Sequence, residues 1–219
     1  MAKVTKSNNS LVLSYLDLRK AIGIIGMALP FVLVLGKVIL EGPGLQSSIS
    51  SYYYTIMRDV FVGSLCSIAV FLFSYRGYAQ IDNMMGMLAS LFAVGTALFP
   101  TDPSVNPTDL QILIGKFHIT FALLFFLTLA FFALFLFRKT DPTKPPTPQK
   151  LMRNSVYTFC GWGIIVCILL IIIVEKLSRD LVLFDYVPVF WLEALAIILF
   201  GISWFVKGEA ILKDEVSTK

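Results

Sequence analysis

The sequence predicts an all-α fold, an integral-membrane bundle of six transmembrane helices with both termini in the cytoplasm, on three observations. The 219-residue chain is 57% hydrophobic with a mean hydropathy of +0.81, and only 15% of it is charged, far from the balance of a water-soluble domain. Its apolar residues gather into runs at 21–40, 60–75, 84–99, 112–137, 157–174 and 186–206, each near the length that a hydrocarbon core of ~30 Å demands. Its basic residues fall unevenly between the alternate sides of these runs, 13 Lys and Arg on one side and 5 on the other, which places the N-terminus, the loops near Arg76 and Lys144, and the C-terminus in the cytoplasm.

Taken in order, residues 1–20 read as a cytoplasmic tail, of which 11–20 either lie in the membrane interface or begin the first helix early. The first run leads into Leu40-Glu41-Gly42-Pro43 without a small-x-small cleavage site, so it reads as an uncleaved anchor. The second and third runs are short and cross nearly upright, or form a re-entrant pair. Gly86, Ala89, Ser90, Ala93 and Ala97 give the third a smooth stripe suited to close packing. Thr108 and Gln111 form a capping box ahead of the fourth. The segment 139–150, with Pro142, Pro145, Pro146 and Pro148, reads as a semi-rigid linker. Residues 207–219 complete the domain as a second cytoplasmic tail.

Composition also narrows function. The net charge of +4 comes from residues that flank apolar runs instead of forming a basic block, so no nucleic-acid partner is expected. Cys66, Cys160 and Cys167 all lie in apolar runs and read as reduced packing residues. His118 is the only histidine, which argues against multi-histidine zinc sites, and no metal or cofactor is expected. Neither a GxSxG elbow nor a phosphate-binding glycine loop occurs.

Polar residues that lipid should have excluded mark candidate sites. Lys37, Arg58, Asp59, His118 and Glu193 all fall toward the outer ends of helices, with Ser50 and Asp102 in the adjoining loops. Glu193 must be protonated, paired with Lys37, Arg58 or His118, or turned to a water-filled cavity, and an ion pair that only fixes helix register competes with a ligand- or proton-handling role. His118 reads as a hydrogen-bonded structural group or as a lone general base. The loop QSSISSYYYTIMRDV sets four serines and three tyrosines before Arg58-Asp59: either it grips a headgroup, with Arg58 on phosphate, or its tyrosines anchor it in the interface. The turn FPTDPSVNPTD presents Asp102 toward the same region or simply stops and caps helices.

Ile49-Ser50, the charged pair Arg58-Asp59, Gly63, the lone His118 opening the fourth helix and Glu193 in the sixth together resemble the DRAM-type membrane proteins, and helix order and spacing extend the likeness over most of the chain. That family carries an acid and then a base ahead of the second helix, where this chain has Arg58 before Asp59, so no role for either residue transfers. The resemblance implies a compact six-helix bundle with a polar cluster on its external side and a lipid connection. The wider group includes proteins linked to autophagy regulation and to remodelling of GPI-anchor lipids, and this chain looks closest to its bacterial branch, which implies a bacterial inner membrane.

Three functional readings follow. The leading one is a non-transporting protein that binds or senses membrane lipids through the outer-leaflet cluster. A second is a metal-independent lipid-modifying enzyme, with His118 or Glu193 as base and a serine or tyrosine of residues 47–54 as nucleophile. The third, a small-solute or proton-coupled transporter, lacks the internal repeat and broken helices usual for such sites. A homo-oligomer or a membrane-protein partner is left open, with the small-residue stripe of the third helix as the contact of a structural partner if that stripe proves lipid-exposed.

Overall fold

The computed structural model describes residues 15–77, 79–103, 105–140, 143, 145–177 and 186–212. They form six α-helices: α1 (Tyr15–Glu41), α2 (Arg58–Phe73), α3 (Gln80–Leu98), α4 (Asp109–Phe131), α5 (Pro148–Lys176) and α6 (Pro188–Lys207). A 3-10 turn, Ser50–Tyr54, precedes α2, a π turn, Phe132–Leu136, ends α4, and no strand occurs among the described residues. Each helix packs on its sequence neighbours, and α6 returns to α1, closing an up-and-down ring. Tyr15 and Leu212 therefore lie at one end of the bundle, the tail end; the opposite end carries the segments after α1, α3 and α5. The expected segments 1–14 and 213–219, with Lys144 and Arg179, lie outside the described residues.

Five helices, α1, α3, α4, α5 and α6, are long and apolar enough to cross a membrane, so the chain is a multi-pass membrane protein by helix length and composition. With 16 residues, α2 is the short one, reaching ~24 Å at 1.5 Å per residue. Large apolar side chains on the outer faces, among them Phe31, Phe135, Phe159 and Trp162, are exposed, as the lipid-facing side of a bundle requires.

Local chemistry sets the helix ends. At α4 the Thr108 hydroxyl accepts the Gln111 amide at 3.3 Å, and the Gln111 side chain accepts the Thr108 amide at 2.8 Å, the reciprocal box expected from sequence. At α5, Thr147 accepts the Lys150 amide at 3.1 Å and Pro148 occupies the first turn, where its missing amide costs nothing. Consequently α5 starts at Pro148 and not at 157, and the proline-rich linker is shorter than expected: two turns of charged helix stand outside the apolar run. The described part of α1 likewise extends ahead of the run at 21–40, from Tyr15.

The π turn has a packing cause. In an α-helix, residues five apart point ~140° away from each other. Here the Phe137 amide donates to the Phe132 carbonyl at 2.9 Å, and both rings face Trp204, at centroid distances of 5.4 Å and 5.1 Å. Tyr75 and Tyr157 complete this buried aromatic cluster at the tail end.

The α3 stripe faces inward, with Ala89, Ala93 and Ala97 essentially unexposed, as close packing inside the bundle requires, so the lipid exposure on which a partner contact there was conditional is not found. Backbone meets backbone between α1 and α6: a Cβ on Gly23 would stand 2.7 Å from the Gly201 carbonyl oxygen, and one on Gly201 would stand 2.7 Å from that of Gly23. Gly201→Val is expected to destabilise the detergent-solubilised protein by about 1–3 kcal/mol, as overpacking does, read as a lowered Tm; an unchanged Tm would mean that the two helices are free to move apart.

Candidate functional site

The segment between α1 and α2 is held against the end of the bundle by two carboxylates from different helices. Glu193, in the second turn of α6, accepts the Ile49 amide at 2.6 Å, and Glu41, the last residue of α1, accepts the Ile56 amide at 2.5 Å. Phe190 donates its amide to the Ser47 carbonyl at 3.1 Å, and the Tyr54 hydroxyl donates to the Thr101 carbonyl at 2.6 Å. An acidic side chain at this depth is costly unless hydrogen-bonded, and Glu193 is satisfied by backbone donors of the 3-10 turn.

Beneath this roof lies a cavity of about 650 Å³ between α4, α5 and α6, in their halves away from the tail end. Its upper wall is polar, formed by Ser47, Ser48, Ser50, Ser51, Asp102 and Glu193, with His118 beside them. The lower wall is apolar, with Ala122 and Phe126 from α4 facing Ile168 and Ile172 from α5. Ile119, Leu123 and Ile172 are exposed, so the cavity opens sideways between α4 and α5. Toward the tail end those two helices close up, with Gly161 against Leu134 and Ala133. An adjoining space of about 40 Å³ shares Ser50, Ala122 and Glu193 but is otherwise almost wholly apolar.

Of the residues singled out from sequence, the structure brings Ser50, Asp102, His118 and Glu193 to this cavity and leaves Lys37, Arg58 and Asp59 off its wall. Lys37 turns back to donate to the carbonyls of Gly42 and Pro43, at 3.0 Å and 3.2 Å. Arg58 is exposed, donates to the Tyr53 hydroxyl at 2.7 Å and lies over the Tyr53 ring, 4.4 Å from its centroid. Asp59 is exposed in the first turn of α2, where a carboxylate complements the helix dipole. The Glu193 partnership with Lys37 or Arg58 is thus replaced by backbone amides, and Arg58 is not placed to hold a phosphate in the cavity. Tyr52 departs from the interfacial reading as well, being fully buried and packed against Phe190.

His118 is 3% exposed, and its Nδ1 donates to the Phe99 carbonyl at 2.7 Å. Phe99 follows the last residue of α3, so His118 satisfies a carbonyl that the helix leaves unpaired. Asp102 packs against Gly115, where a Cβ would come within 3.0 Å of its carboxylate oxygen. Ser51 hydrogen-bonds to Ser47 and Ser48, at 3.1 Å and 2.7 Å, so these hydroxyls stabilise the turn. Sequence reasoning passed over Glu41, Glu175 and Lys176: the first sits at a helix end, and the other two reach the cavity rim only because α5 runs to Lys176. Among the described residues no three His, Cys, Asp or Glu side chains stand together as a metal site.

No protein-family model, curated protein or solved structure matches the chain.

Replacing Glu193 tests the roof directly. Glu193→Ala leaves a buried amide without its acceptor and is expected to cost about 1–3 kcal/mol, with faster hydrogen exchange across residues 47–54, whereas Glu193→Gln retains an acceptor and shifts both readings less. Equal exchange in the two variants would show that the carboxylate does not hold this segment.

Proposed function

We propose that the chain is a six-crossing protein of a bacterial inner membrane, with both termini cytoplasmic, that binds or senses lipid by taking its headgroup end into the cavity. The sixth crossing is α2. Its place in the ring between α1 and α3 supports this, and Ser74 and Tyr75 extend its reach beyond Phe73. Among the described residues the tail end carries eight Lys and Arg and the cavity end four, which supports a cytoplasmic tail end and an outer-leaflet cavity.

The single observation that carries the lipid reading is the division of the cavity into a polar upper wall and an apolar lower wall, with an opening between α4 and α5, two helices long and apolar enough to cross a membrane. A headgroup would meet the serines, Asp102, Glu193 and the rim residues Glu175 and Lys176, while an acyl chain would leave past Ile119, Leu123 and Ile172. Three acids against one lysine favour a headgroup rich in hydrogen-bond donors, such as an ammonium or a polyol, over an anionic one. The almost wholly apolar lining of the adjoining space leaves no polar route inward, which favours binding over transport. The lipid connection implied by the likeness to DRAM-type proteins points the same way.

Ala122→Trp puts a large ring into the cavity without touching the roof. Native mass spectrometry of the purified protein is expected to show a headgroup-selective lipid retained by the wild type and lost by at least tenfold in Ala122→Trp at comparable Tm. Unselective lipid, equal in both proteins, would defeat the reading. Single cysteines at Arg76 and Arg138, in a chain with Cys66, Cys160 and Cys167 replaced, are expected to react with membrane-impermeant maleimide only after the cells are opened; labelling in intact cells would reverse the orientation.

A further inference from the structure

Hydrogen-bond acceptors and donors are unevenly placed on the cavity wall. Glu193 stands where the cavity meets the apolar space behind it, and so forms the inner end of the polar wall. Its carboxylate takes the Ile49 amide at 2.6 Å and is met by the Ser50 amide as well, so the roof fixes its orientation. A carboxylate offers about four lone-pair sites, and two amides leave it able to accept from a ligand. Asp102, exposed at the rim, is a second carboxylate on the same wall, and Lys176, the last residue of α5, is an exposed cation there.

The serines of the roof add oxygen more than they add donors. Ser51 is hydrogen-bonded to Ser47 and Ser48, at 3.1 Å and 2.7 Å, so two of the three hydroxyl protons are engaged inside the turn. His118 directs its Nδ1 proton to the Phe99 carbonyl. A polyol needs donors as well as acceptors around it, whereas an ammonium needs acceptors alone, and its hydrogen bond to a carboxylate is roughly twice as strong as a neutral one. The number of N–H groups also discriminates. A quaternary ammonium has none and is held by cages of aromatic faces, but the rings among the described lining residues are Phe126, on the lower wall, and His118.

We propose that the headgroup selected by the cavity is a primary ammonium joined to a phosphate, as in phosphatidylethanolamine, with the ammonium on Glu193 and the phosphate at the rim beside Lys176. This rests on the lipid reading given above and names the lipid class. The order of groups along such a molecule matches the order along the cavity: Glu193 is innermost, Lys176 is exposed, and Ile119, Leu123 and Ile172 are exposed where the acyl chains leave. The volume of about 650 Å³ lies within the range of roughly 300–1,000 Å³ usual for a site that encloses one small ligand.

The test uses the full chain in detergent with phosphatidylethanolamine, its N-methyl and N,N-dimethyl derivatives, and phosphatidylcholine, all with the same acyl chains and phosphate. Native mass spectrometry is expected to show retention falling with each methyl group, phosphatidylethanolamine being held at least tenfold above phosphatidylcholine. Phosphatidylglycerol, with a polyol on the same phosphate, is expected to be held no better than phosphatidylcholine. Glu193→Gln keeps an acceptor for the roof and is expected to bring the ethanolamine-to-choline ratio below about threefold. Lys176→Gln is expected to lower the retention of both lipids and leave their ratio unchanged, because both carry the phosphate. A flat methylation series in the folded wild type overturns the proposal without recourse to any variant, and so does a ratio that survives Glu193→Gln. Preference for another headgroup, lost in Ala122→Trp, overturns the ammonium assignment and leaves the lipid reading standing. Equal retention of every lipid by the wild type and Ala122→Trp defeats both.

Discussion

The bundle depends on the closure of its last helix onto its first, at the reciprocal contact of Gly23 and Gly201. Within a bilayer, apolar side chains gain little by leaving lipid for protein, so helices hold together by how closely their backbones approach and by the polar groups they share. At this contact each glycine faces the other's carbonyl oxygen at a distance that no side chain allows. Because α6 is seated on α1 there, Trp204 is carried into the aromatic cluster at one end and Glu193 is carried under the Ile49 amide at the other. One close approach thereby positions both polar regions of the molecule.

The two ends then solve different electrostatic problems. At the cavity end the acids are answered by backbone: Glu193 and Glu41 each take an amide from the segment between α1 and α2, and the peptide dipoles there do the work of a countercharge. At the tail end the described bases meet aromatic faces, carbonyls and acids, among them Asp82 with Lys139 and Asp17 with Lys20. Neither solution couples one end to the other by charge, and the helices between them are almost wholly apolar.

The sequence made the helices legible because bilayer thickness and apolar run length are tied together by simple geometry. The Thr108–Gln111 box was legible too, since capping is local. The true start of α5 was less so: Thr147-Pro148 is a local signal as well, but the charged turns that follow hid it from a reading based on hydropathy. Glu193 stood out as an acid among apolar residues, but its partner could not be read, because a backbone amide carries no residue-type signature. Expecting Lys37 or Arg58 to meet it followed charge complementarity, whereas Lys37 had carbonyls just past the end of its own helix and Arg58 had Tyr53 five residues away. The tail-end bases were visible only as the basic excess that set orientation, and what they meet depends on the ring order of helices, which no linear pattern displays.

The π turn in α4 has a consequence for how this helix can vary. A π turn is an α-helix that carries one residue more than its turns require, so α4 has two registers joined at Phe132–Leu136. Removing a single residue there would restore a uniform helix in which Phe132 and Phe137 stand four apart, ~40° from each other, so both rings still face Trp204 while His118 and Ala122 stay where they are. Insertions and deletions at this joint are therefore decoupled from the cavity wall, and the same helix can drift in sequence at one end without retuning the other.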